Sequence, residues 1–173
     1  GDALYVPDMT EYEGTLNEVI TQATSRDTSY ATTYWPWVKM IDPGTGKMVW
    51  IPASTVVPGV YAYNDKVAAP WFAPAGINRG GLNTVQYAKY KLTQANKDDL
   101  YEANINPLAT ISGEGVVVFG QKTLQKEASA LDRVNVRRLV IELKQYIGQL
   151  ADQIVFEQNT ATTRKNFIAR VTP

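Results

Sequence analysis

Apolar residues recur at spacings of three and four from Val136 through Leu139, Val140, Leu143 and Ile147 to Leu150, which predicts an amphipathic helix of about four turns. Asn135 is its expected cap, and its apolar face is expected to cover a sheet around Val116-Val117-Val118-Phe119. Upstream, Thr15-Leu16-Asn17-Glu18 is a capping box opening a short helix with Leu16, Val19, Ile20 and Ala23 on one face. The stretch from Tyr30 to Met40 is rich in Thr, Tyr, Trp and Val, and Asp42-Pro43-Gly44-Thr45-Gly46-Lys47 turns it into Met48-Val49-Trp50-Ile51, a β-hairpin. Pro36 has no N–H to give a ladder and belongs at an edge or bulge.

Residues 52–65 predict a helix, with Ser54 as a possible cap and Pro58-Gly59 as an irregularity. Two prolines and three glycines between Ala68 and Leu82, around Trp71-Phe72, predict an ordered loop with aromatic anchors and a boundary between two regions. Tyr87 to Leu92 reads as a strand, and Thr93 caps a helix over Gln94 to Glu102. Asn106-Pro107 is expected to end the following connection, before two strands around Ser112-Gly113-Glu114. A last helix starts at Asn159 or Thr160 and carries Arg164, Phe167, Ile168 and Val171. The expected fold is α/β of a mixed α+β kind, a layered sheet covered by amphipathic helices. Residues 1–67 form a smaller region containing the hairpin, and residues 68–173 form the main core region, expected to be truncated at its C-terminal end. The chain starts at Gly1 and stops just after a helix, so both ends read as cut from a longer chain.

Charge narrows the function classes. Seventeen basic and seventeen acidic residues leave net charge zero, so nothing favours a nucleic-acid partner, and association with like subunits meets little repulsion. No apolar run is long enough to predict a membrane span. Cysteine and histidine are both absent, which removes disulfide and thiolate chemistry, the commonest general base and the commonest metal ligand. The acidic pairs Asp98-Asp99 and Glu11/Glu13 read as solvated surface, without calcium-loop spacing. A hydrolase built on Asp98 or Asp132 lacks a convergent motif, and no catalytic residue, cofactor or metal is expected. Gly76, Gly80 and Gly81 fit neither a dinucleotide fingerprint nor a phosphate loop. Trp35, Trp37, Trp50 and Trp71 could stack on sugars, as in a carbohydrate-binding module of a phage receptor-binding protein, or could anchor a core or interface. Arg133, Arg137, Arg138 and Lys144 put positive charge on the polar side of the long helix, where they read either as a solvated face or as candidate contacts with another subunit.

Three ordered blocks carry a family resemblance: Gly120-Gln121-Lys122-Thr123, then Asp132-Arg133-Val134-Asn135-Val136-Arg137-Arg138-Leu139, then Val155-Phe156-Glu157-Gln158-Asn159. They resemble the C-terminal half of contractile phage tail sheath proteins, supported upstream by Pro58-Gly59-Val60-Tyr61-Ala62, Ala69-Pro70-Trp71-Phe72 and Asn104-Ile105-Asn106-Pro107. The resemblance implies a structural, non-enzymatic subunit that forms helical homo-oligomers around a tail tube protein. It further implies a virion location, with host cytoplasm during assembly, and contraction driven by energy stored at assembly. Strand exchange between neighbours and repacking of polar contacts would carry that change.

Overall fold

The computed structural model describes residues 2–172. Helix α1 (Leu16–Thr24) starts with the predicted capping box, the Thr15 N–H donating to the Glu18 carboxylate at 2.8 Å and the Glu18 N–H to the Thr15 hydroxyl at 3.4 Å. Val19 and Ala23 are buried, with Leu16 and Ile20 packed beside them, so the predicted face is the one that sinks into the core.

The Thr/Tyr/Trp-rich stretch does not make one continuous strand. β1 (Thr33–Trp35) ends at Pro36, and β2 (Val38–Ile41) resumes in a different sheet, paired antiparallel with β3 (Met48–Ile51) from Val38↔Ile51 to Ile41↔Met48. Lacking an N–H, Pro36 cannot continue a ladder, and the chain uses that point to change sheets. The predicted turn holds: the Asp42 carboxylate accepts from the Gly44 N–H at 3.0 Å and the Thr45 hydroxyl at 2.6 Å, and Gly46 adopts φ +68°. Those bonds, the Thr45 hydroxyl foremost, hold the Asp42 carboxyl below its ordinary pKa.

Helix α2 (Ala53–Val67) is present as predicted, but Pro52 occupies the cap position. Ser54 instead bonds across to Asp8, its hydroxyl and its N–H (3.2 Å) both donating to that carboxylate. β4 (Val85–Ala88) lies nearer the N-terminus than the strand predicted at 87–92 and joins β2, giving the sheet order β3-β2-β4. α3 (Gln94–Glu102) begins at Thr93, as expected.

β5 (Ile105–Ile111) and β6 (Gly115–Val118) flank the predicted Ser112-Gly113-Glu114 turn. Asn106-Pro107 does not end a connection: both residues lie inside β5, the central strand of the sheet β1-β5-β6. β1 pairs parallel to β5 (Thr33↔Ile105 to Trp35↔Pro107) and β6 pairs antiparallel to it. The pleat sorts side chains by parity. Tyr34, Leu108, Val116 and Val118 meet Val57 and Val60 of α2 on one face, while Trp35 and Ile105 meet Val19, Ala23 and Leu100 of α1 and α3 on the other. The sheet is therefore covered by helices on both faces, a mixed α/β layering.

The Pro/Gly-rich loop is ordered by β6. Gly76 and Leu82 donate to the carbonyls of Val118 and Val116, both at 2.9 Å, and Val118 donates back to Gly80 at 2.8 Å. A Cβ on Gly80 would stand 2.8 Å from the backbone of Gly76 and Val118, so only glycine lets the strands approach here. Trp71 and Phe72 are exposed and do not anchor the loop; the buried Asn64 amide does, donating to the carbonyls of Ala69 and Phe72 at 3.0 and 3.3 Å. One buried cluster combines Val57 and Val60 with Leu82 and Leu108, so packing is continuous across position 67.

The long helix α4 (Val134–Asp152) is where prediction and structure part most. Arg133, not Asn135, takes the cap position, and α4 packs against a short 3-10 turn (Ala130–Asp132) and the final helix α5 (Ala161–Val171). Its base is covered, and its C-terminal end at Leu150 and Ala151 is half-covered by α5. Leu139 and Val140 are half-buried, whereas residues 142–149, Leu143 and Ile147 among them, are exposed. The face of β6 expected to receive the stripe is filled by α2 with Leu82 and Val85. Among the described residues no helix is long and apolar enough to cross a membrane.

Candidate functional site

The four cations singled out on α4 do not share one solvated face. Arg137 is 4% exposed, which corrects its assignment to the polar side of the helix. Its guanidinium lies 4.0 Å from the centre of the Tyr30 ring and donates to the Ser29 hydroxyl, while its Nε is buried without a partner. Arg138 lies over the Tyr61 ring and donates to the Asp65 carboxylate of α2 at 2.5 Å, a pair mostly shielded on the arginine side. The expected helix pair with Glu142 gives way to this longer-range one, because Asp65 reaches the guanidinium from a neighbouring helix. Lys144 donates to Asp2 at 2.5 Å and to the Tyr30 hydroxyl at 3.3 Å. That bond holds the Asp2 carboxyl below its ordinary pKa and raises Lys144 above its own. Arg137 and Arg138 thus bolt the root of α4 to residues 29–30 and to α2, and Lys144 ties its middle to Asp2.

Arg133 faces elsewhere. Its Nη1 donates to the Tyr101 hydroxyl at 2.8 Å, which with the Asp132 carboxylate 3.2 Å from Nε favours its charged form. Around it opens a shallow pocket of about 380 Å³, lined by Ala75, Gly76, Tyr101, Phe119, Gly120, Gln121 and Arg133. Phe119 and Tyr101 are 49% and 39% exposed. Two further cations lie against these rings: Lys97 Nζ is 5.4 Å from the centre of Phe119, and Lys122 Nζ is 3.7 Å from that of Tyr101 and donates to the Tyr101 carbonyl. The sequence singled out Arg133 alone. Tyr101, Phe119, Lys97 and Lys122 come from α3, the end of β6 and the loop after it, and only the packing of α3 on β5 brings them together.

Sequence reading also missed the polar hub beneath this pocket. The Asn106 amide, fully buried, donates to the Thr32 hydroxyl (2.8 Å) and to the carbonyls of Thr33 (3.1 Å) and Lys122 (2.8 Å). Its oxygen accepts the Lys122 N–H at 2.6 Å. One side chain thereby ties β1, β5 and the segment after β6. A second pair, the hydroxyls of buried Tyr34 and half-buried Tyr61 2.6 Å apart, bridges β1 and α2, and desolvation raises both phenol pKa values.

The remaining candidates disperse. Trp35 is buried and stacks on Tyr90, Trp37 and Trp50 pack against Tyr12, and Trp71 stands apart and exposed, so the four indoles build no shared platform for a sugar. Asp98 accepts from Gln94 on its own helix, and Asp132 pairs with Arg133. No group of three or more carboxylates converges among the described residues.

The chain is 35% identical to the tail sheath protein of Vibrio phage KVP40 over 162 residues, 94% of this chain and 24% of that protein. It is 40% identical to the tail sheath protein of Enterobacteria phage T4 over 118 residues, 68% of this chain and 18% of that one. The chain therefore spans about a quarter or less of the length of these curated relatives. In three dimensions it superposes with a TM-score of 0.81 on the sheath of an extracellular contractile injection system in its contracted state, at 28% identity, covering 96% of this chain and 45% of that one. A subunit of the anti-feeding prophage baseplate, 23% identical, superposes at 0.79 over 97% of this chain and 42% of its own, sharing the fold. No protein-family model matches.

Proposed function

We propose that this chain, a homologue of tail sheath proteins over nearly its whole length, is part of the structural core of a contractile tail sheath subunit. Copies assemble helically around a tail tube, and the assembly shortens to drive the tube through the host envelope. The protein works mechanically, without turnover, nucleic acid or membrane insertion; it is made in the host cytoplasm and ends in the virion tail. The observation that carries this reading is the sequence match across 94% of the chain, supported by superposition on a contracted-state sheath. The physical character of the domain agrees with it: zero net charge, helices on both sides of a sheet, and side-chain ties between distant segments make a stiff body suited to bearing load. Arg133 and Lys144 are the α4 cations with the most exposure and remain its candidate subunit contacts. Immunogold labelling of native particles with antibody against this chain tests the assignment. Label is expected along the contractile part of the tail; label confined to capsid, fibres or unassembled material would refute it.

A further inference from the structure

The pocket around Arg133 is a charged feature that the fold leaves open and that carries two exposed rings. Three cations, Lys97, Lys122 and Arg133, surround two exposed rings, and of these Arg133 is matched by Asp132. Arg133 lines the pocket itself, while Lys97 and Lys122 reach its two rings from outside the lining, as Asp98, Asp99 and Glu102 of α3 also stand outside it. Gly76 and Gly120 put no side chain into it, so a main chain can come close. Such a wall recognises a carboxylate-bearing segment: the cations supply charge-assisted hydrogen bonds, and the rings cover the apolar stems.

The same chain carries a segment with that chemistry. Residues 2–25 hold Asp2, Asp8, Glu11, Glu13 and Glu18 and neither lysine nor arginine. Asp2 is engaged by Lys144, Asp8 by Ser54, and Glu18 by the cap of α1. Glu11 and Glu13 are left on the surface, Glu13 with only a long 3.9 Å approach to Lys89 and a side chain 89% exposed. Tyr12 between them is fixed by Trp37, Trp50 and Lys89, so the two carboxylates are presented on a stiff turn at small entropic cost.

We infer that the Glu11–Glu13 turn of one copy docks into the Tyr101–Phe119–Arg133 pocket of a second copy. The two patches are different surfaces, so the contact is head-to-tail: each pairing leaves a free turn at one end and a free pocket at the other, and a non-closing rotation propagates a helix. The inference rests on the sheath-subunit reading and names the surfaces by which its copies meet.

The test places a photoreactive benzoylphenylalanine at position 119 of this chain and irradiates it over a concentration series up to the solubility limit. Crosslinked dimers should map to the tryptic peptide ending at Arg26, which runs uncut through Glu11 and Glu13. Lys97→Glu or Arg133→Glu should each lower the dimer yield about tenfold or more by setting like charges opposite one another. Mixing either with a copy carrying Glu11→Lys and Glu13→Lys should restore the yield, with unchanged melting midpoints confirming that every variant folds. Crosslinks to another segment, a yield indifferent to charge reversal, or no dimer at any concentration would overturn the inference. So would an intrachain crosslink in a longer form of the protein, which would mean that its own polypeptide fills the pocket. None of these outcomes moves the immunogold result, so the docking surface and the sheath assignment fail separately.

Discussion

Asn106→Ala should be among the most damaging single changes in the chain although it removes no apolar surface. From a fully buried position the amide shares its two N–H hydrogens among three acceptors and accepts the Lys122 N–H on its oxygen. Truncation orphans the Lys122 N–H outright and takes one bond each from the carbonyls of Thr33 and Lys122; the latter keeps the Thr32 hydroxyl as a donor. An unsatisfied buried group costs about 1–3 kcal/mol, so one complete and two partial losses place the variant about 3–4 kcal/mol below the parent. Against a total stability of roughly 5–15 kcal/mol, that is a large share. Urea unfolding followed by tryptophan fluorescence would measure it as a shift in midpoint at unchanged slope. Asn106→Asp sharpens the test. Its carboxylate can still accept from Lys122 N–H but faces two carbonyls with nothing to donate, so burial and those acceptors raise its pKa above the unfolded value of about 3.9. The folded state then binds the extra proton, and stability falls as pH rises from that value through the folded pKa. Asn106→Asp should therefore regain stability relative to Asn106→Ala on acidification. A loss under about 1 kcal/mol for Asn106→Ala, or an Asn106→Asp deficit that does not change with pH, would show that the hub is not what joins β1 to β5.

The root of α4 should behave as a packed element despite its charge: Arg137→Ala should cost more than Leu139→Ala in the same unfolding assay, since Arg137 is buried and Leu139 half-buried, and Arg137→Met should recover most of the loss by keeping the volume. Leu143→Gln and Ile147→Gln should each stay within about 0.5 kcal/mol of the parent in a thermal melt of this chain, because both side chains already face solvent. Gly80→Ala should destabilise by about 1–3 kcal/mol or more, since its Cβ would meet backbone that cannot step aside; hydrogen exchange should localise the loss to residues 76–82 and β6. The Asp2–Lys144 tie should hold at neutral pH, weaken in acid as Asp2 protonates below its usual 3.8, and weaken in alkali only above the usual 10.5 of lysine, as NMR titration of both side chains would report.

Local chemistry in the sequence was a good guide wherever the structure is local. The Thr15 capping box, the Thr93 cap, the Asp42 turn and the hairpin after it all sit where residue type demands. Reading failed where a neighbour distant in sequence decides. Pro36 was read as an edge or bulge position, yet it marks a change of sheets, and nothing between Tyr30 and Met40 says that β5 claims the first half and β4 the second. Asn106-Pro107 has the composition of a turn, and only the Thr32, Thr33 and Lys122 partners make it a strand interior. The helical period of α4 was correctly read, but periodicity states that a stripe exists and not what covers it; the surface expected to do so was taken by α2. Arg137 reversed roles for a related reason, because a ring and a hydroxyl from residues 29–30 make burial of a guanidinium tolerable.

The geometry of α4 is that of a beam held at its root, its middle and its tip. Its root is clamped by Asp65 through Arg138 and by Ser29 and Tyr30 around Arg137, and its middle is tied to Asp2 through Lys144. Between the Lys144 tie and Leu150, which meets α5, the helix runs about 9 Å at 1.5 Å per residue with its side chains in solvent. Load on the exposed span is shared between these supports, where salt bridges and a stacked guanidinium meet it in place of oil-like packing.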